Sequence, residues 1–100
     1  MNDAQFGFKT GDLEAIIKIL TGFSTLKKAV LFGSRAKGTA KRFSDLDLAI
    51  DIGTPLSLAL ISKISDEFEE SILPYKVDLI DWQTTSDEFK KMVEKDKVVI

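Results

Sequence analysis

Neither cysteine nor histidine occurs in this chain of 100 residues. Without cysteine there is no disulfide, no zinc–thiolate site and no thiol nucleophile. The missing histidine excludes more, because it is the most frequent general base and the most frequent ligand for zinc, iron and copper. A Ser-His-Asp triad and a two-histidine metalloprotease site are both ruled out. Chemistry has to come from carboxylates, Lys, Arg, hydroxyls or backbone groups. Hard oxygen ligands of that kind suit Mg²⁺ or Mn²⁺.

Long apolar runs are also lacking. None approaches the ~18 residues of a membrane-spanning helix. The opening MNDAQFGFKTGD has no basic stretch followed by an apolar one, so no secretory signal is read there and the expected location is the cytoplasm. No excess of positive charge exists either: 14 basic against 16 acidic residues give a net charge of −2, which speaks against an extended nucleic-acid surface. With 44% hydrophobic and 30% charged residues, the composition is that of an ordinary globular protein. The length fits one domain, 1–100, with little room for a large cavity.

The periodicities sketch the fold. Residues 1–10 carry no strong period and are expected to be irregular. Leu13, Ile16, Ile17 and Leu20 recur at the spacing of one helical face and predict a helix over 12–21, capped by Thr10 or Asp12 and stopped at Gly22. KAVLF at 28–32 predicts a buried strand. The polar, basic stretch GSRAKGTAKRFS at 33–44 reads as a loop with a short helix from Ser34. LDLAID at 46–51 alternates apolar and acidic residues and predicts a second strand. Thr54 then caps, with Pro55 as first residue, a helix over 55–72 marked by Leu60, Ile61, Ile64, Phe68 and Ile72. Pro74 breaks it, and YKVDLID at 75–81 reads as a third strand. Thr85 and Glu88 match a capping box that opens a last helix near 86–95. Val98, Val99 and Ile100 read as a short edge strand or a segment docked on the core. The expected class is α/β, a small mixed sheet with helices packed on it.

Asp45 and Asp47 are two apart on a strand, so their carboxylates share a face while Leu46, Leu48 and Ile50 share the other. Two like charges held together are costly unless something compensates them, and a divalent cation compensates both. An acidic, solvated strand face is the bland alternative. The strand KAVLF ends at Gly33, where the absent side chain lets backbone N–H groups approach a ligand. Ser34 adds a hydroxyl. Arg35, Lys37, Lys41 and Arg42 make the following loop the most basic part of the chain, as phosphate binding requires, although solvated charges at a strand-to-helix turn look similar. Asp78 sits between Val77 and Leu79 in an apolar strand, an unusual place for a carboxylate of purely structural purpose. Asp81, three residues on, points to the opposite face.

The run GSRAKG-x₅-SDLDL resembles the signature of the DNA polymerase β-like nucleotidyltransferases, G-S-x-A-R-G followed by S-D-x-D-L. The short chain and its VDLIDW-x-T-T segment are similar to the minimal nucleotidyltransferases of prokaryotes, the MNT domains, over roughly residues 13–96. Lys37 stands where many members have Arg, which keeps the charge but not bidentate phosphate contact. The resemblance implies a polymerase β palm-like fold and Mg²⁺-dependent transfer of a nucleoside monophosphate, AMP foremost, from a triphosphate such as ATP. It assigns Asp45, Asp47 and Asp78 to two metal ions, with Mn²⁺ as a substitute. It assigns Gly33, Ser34, Arg35, Lys37 and Ser44 to the nucleotide. It implies a hydroxyl acceptor on a small helical partner of the HEPN type, with this chain as antitoxin. A weakly catalytic module that neutralises a partner by binding, or a small-molecule transferase of the aminoglycoside type needing a second subunit, remain alternatives. Phe32, Phe43, Phe68 and Phe89 are expected in the core, Trp82 as packing, and Glu67, Glu69 and Glu70 on a solvated helix face.

Overall fold

The computed structural model describes residues 2–100. Four helices, α1 (Asp12–Thr21), α2 (Gly33–Lys37), α3 (Leu58–Glu69) and α4 (Asp87–Asp96), alternate with four strands, β1 (Lys28–Phe32), β2 (Leu46–Asp51), β3 (Val77–Asp81) and β4 (Val98–Val99). The strands form one sheet in the order β3-β2-β1-β4. β1 runs antiparallel to β2 and β4, whereas β2 and β3 are parallel. A parallel neighbour needs a crossover, and α3 supplies it. The expected α/β fold on a small mixed sheet is what the chain adopts.

The alternation in LDLAID divides the sheet into two faces. Leu46, Leu48 and Ile50 are fully buried, together with Leu31, against Ile16 and Leu20 of α1 and Ile64 and Phe68 of α3. The opposite face carries Val30 and Ala49 under Val93 of α4, flanked by Phe32, Ile80, Trp82 and Phe89. Trp82 therefore packs, and Glu67, Glu69 and Glu70 are exposed, as expected.

Several expectations give way to hydrogen bonds that the sequence pattern does not show. The lead-in is ordered: a 3₁₀ helix, Asp3–Phe6, carries a capping box between Asn2 and Gln5, and Phe6 and Phe8 are buried in the core. Neither Thr10 nor Asp12 caps α1. The Asp3 carboxylate does so from a distance, accepting from the N–H groups of Gly11 (3.2 Å) and Leu13 (2.8 Å). Helix α3 starts three residues later than Thr54-Pro55 suggested. Asp81 accepts from the Leu56 N–H at 2.9 Å, holding the preceding segment out of helix, and Ser57 becomes the cap. The helix also stops at Glu69, which leaves Ile72 90% exposed. The cap of α4 is Ser86, because the Thr85 hydroxyl is donated to the Asp81 carbonyl instead.

Candidate active site

The acidic residues and the glycine meet at one edge of the sheet. Because β1 and β2 are antiparallel, the last residue of β1, Phe32, lies opposite Asp47 near the start of β2. Because β2 and β3 are parallel, Asp47 in turn lies beside Asp78. Phe32, Asp47 and Asp78 thus form one row across three strands. In α/β sheets ligands usually sit at carboxyl ends of strands. Here only β1 contributes a carboxyl end, and the aspartates come from the amino ends of β2 and β3. Asp45 lies just ahead of β2 and is exposed.

Chain geometry packs Asp47 onto the start of α2. Gly33 has φ +74°, and a Cβ placed there would lie 3.1 Å from Asp47 Cγ and 3.4 Å from its Cβ. The first turn of a helix leaves N–H groups without intrahelical acceptors, and this one opens at the same edge. Burial, then the neighbouring charges of Asp78 and Asp45, push the Asp47 carboxyl above its ordinary value, with only Arg35 pulling the other way. Asp78 is more open, its side chain 44% exposed, with Lys76 Nζ 3.8 Å away. The side chains as they stand do not close into a metal cage, since among the described residues no group of three acidic ligands is gathered tightly enough.

Arg35 is a correction. Expected at the phosphates, it is fully buried. Its guanidinium donates to the carbonyls of Phe6 and Gly7 (both 3.0 Å), Arg42 (3.2 Å) and Ser44 (2.7 Å). Its cationic centre lies 4.7 Å from the Phe8 ring and 4.0 Å from the Tyr75 ring. A planar fork of donors suits this task, and each bond made to a carbonyl is one unavailable to a ligand. Nearby, the Tyr75 hydroxyl donates to the buried Asp12 carboxylate. The sequence signal for this clamp was the pair Phe6 and Phe8, too close to the start of the chain to show a period.

The other nucleotide candidates divide. Lys37 is exposed at the end of α2 and Ser34 is partly exposed at its start. Ser44 has its hydroxyl engaged, accepting from the Lys41 N–H at 2.9 Å, so it shapes the loop. Phe43, expected in the core, is 66% exposed. A cleft of about 210 Å³ runs from Gly33 and Lys37 to Phe89, Met92 and Asp96 of α4, next to the aspartate row. A larger apolar cleft, about 320 Å³, lies near Lys28 and Ile100 at the far end of the sheet, away from the aspartates.

The family model described as Polymerase beta, Nucleotidyltransferase matches residues 14–100. A probable protein adenylyltransferase of Haemophilus influenzae, MntA, is 42% identical over 97 residues, which span 97% of this chain and 85% of that protein. A solved toxin–antitoxin complex with AMP-PNP matches with a TM-score of 0.75 at 28% identity, covering 88% of this chain and 71% of that one. A mutant MntA–HpeT toxin–antitoxin complex matches with a TM-score of 0.73 at 26% identity, covering 89% and 71%.

Proposed function

We propose a function from one premise: the chain belongs to the polymerase β nucleotidyltransferase family and is a nucleotidyltransferase. The reaction we assign is transfer of AMP from ATP to a hydroxyl side chain on a small helical partner of the HEPN type, with this chain as the antitoxin of the pair. The adenylyltransferase name of its relative and the toxin–antitoxin setting of its structural neighbours support that reading.

The observation that carries it is the placement of Asp47 beside Asp78 and against Gly33. The donor set is carboxylate oxygen alone, hard ligands for a hard divalent cation, and Asp47 is crowded by like charges that such a cation would relieve. In this reading Asp45 and Asp47 would hold two Mg²⁺ ions, with Asp78 completing the site on the acceptor side, once side-chain rotation brings the carboxylates together from backbone positions that are already neighbours. Ions bound there would neutralise charge at the attacking and leaving oxygens.

Gly33 and Ser34 hold the β- and γ-phosphates, and Lys37 adds positive charge at the outer end of α2. The acceptor oxygen attacks the α-phosphorus in line. Its bond to the oxygen bridging to the β-phosphate breaks, pyrophosphate leaves, and Asp78 takes the acceptor's proton. Both Asp45 and Asp78 are open to a large acceptor. Incubation with labelled ATP, Mg²⁺ and the product of the adjacent gene is expected to put label on that product, and none with Asp47→Ala. Efficient transfer to a free small molecule by this chain alone would refute the assignment.

A further inference from the structure

We propose that Phe43, with Arg42 and Lys41, is the anchor on which the acceptor protein docks. The inference rests on the function proposed above and adds where the partner is gripped.

The turn over residues 41–44 is held from both sides. Lys41 N–H donates to Ser44 Oγ at 2.9 Å, and Ser44 N–H donates to the Lys41 carbonyl at 3.2 Å. From beneath, the buried Arg35 Nη2 donates to the carbonyls of Arg42 and Ser44, the residues immediately before and after Phe43. The backbone carrying Phe43 is thus fixed at both its neighbours by one fully buried side chain. The ring itself is 66% exposed, with the Arg42 guanidinium 5.2 Å from its centre.

Nothing in the fold asks for phenylalanine there. A turn is served by Gly, Asn, Asp, Ser or Pro, and the ring contributes nothing to either core cluster. Single exposed apolar residues are common on protein surfaces. What sets this one apart is a rigid mount and a position two residues before Asp45. An aromatic presented on a preorganised backbone loses little freedom on binding, and aromatic and Arg side chains are enriched in interface centres. Its chain neighbours Lys41 and Arg42 are both exposed, and the Arg42 guanidinium lies against the ring. The occupant is therefore an apolar socket rimmed by acidic side chains, on the protein that carries the acceptor hydroxyl. Seated there, that protein is positioned over the aspartate row.

The test uses the full chain, labelled ATP, Mg²⁺ and the product of the adjacent gene as acceptor. Phe43→Ala should lower kcat/KM for labelling the partner by about tenfold or more, chiefly through KM for the partner. Calorimetric affinity for Mg²⁺–ATP and the melting temperature should not change, and Phe43→Tyr should restore labelling. Lys41→Gln/Arg42→Gln should weaken the salt dependence of labelling. Labelling by Phe43→Ala at the unaltered rate overturns the inference alone. A matching fall in ATP affinity also overturns it, by placing the ring against the nucleotide base. Failure of the unaltered chain to label the partner overturns the function on which the inference rests.

Discussion

Gly33 and Asp47 are fitted to each other: the glycine turns at positive φ, and the aspartate carboxylate occupies the space where any other residue would carry its side chain. Gly33→Ala therefore has two effects. An L-residue in this conformation costs about 1–2 kcal/mol, and the added methyl forces Asp47 out of the row. Thermal melting should show a moderate loss of stability. Transfer to the partner should fall far more, by about a hundredfold or beyond, on the scale of losing one preorganised charge contact. Equal, small losses in both would mean that Asp47 does not need its present place.

Metal-free protein should respond to pH through Asp47. Its folded-state value is raised above the ordinary 3.8 by burial, Asp78 and Asp45. The stability associated with its protonated form is present below that ordinary value and lost as pH rises through the raised one. Asp47→Asn should remove this dependence and raise the metal-free melting temperature at neutral pH while abolishing transfer. A lower melting temperature for Asp47→Asn at neutral pH would contradict it.

The titration of Asp47 should also report its neighbour. Asp78→Asn removes the largest of the repulsive charges and should move the Asp47 carboxyl back toward its usual range, as read by carbon-detected NMR. No movement would show that the two carboxylates do not sense each other.

Arg35 should behave as a structural residue. Arg35→Lys places one ammonium where a planar fork serves four carbonyls, and unpaired buried groups cost about 1–3 kcal/mol each. Urea unfolding should show a loss of about 3 kcal/mol or more, with ATP affinity changed only as far as the folded fraction changes. A stable Arg35→Lys with weakened ATP binding would return the residue to the phosphates.

How much of this was readable in the sequence follows from how local the causes are. The strands at 28–32 and 46–51 and the first helix were legible because their apolar spacing answers to burial on one face. The row of Asp47 with Phe32 and Asp78 was legible in part: alternation gives the face, but the pairing of β2 with β3 depends on the crossover by α3. Caps escape the sequence pattern where another part of the chain competes for the same groups. Asp81, 25 residues away, holds Leu56 and moves the start of α3, and its carbonyl takes the hydroxyl of Thr85. Arg35 was misread because a basic residue in a basic loop looks solvent-facing, and its acceptors Phe6 and Gly7 lie 29 and 28 residues away. Phe43 failed in the opposite sense, since apolar character alone says nothing of which side of a turn it leaves.

The clamp around Arg35 sets where this protein can be cut. The family-matched segment begins at residue 14, and a version trimmed to it would retain every acidic residue of the site. It would lose Phe6, Gly7 and Phe8, hence half of the carbonyls that seat the guanidinium and one of the two rings that enclose it. The turn carrying Phe43 and leading into Asp45 would then hang from a cation with no fixed seat. The opening residues, remote in sequence from any catalytic motif, belong to the same cooperative unit as the reacting edge, and an expression boundary drawn by homology would fall inside it.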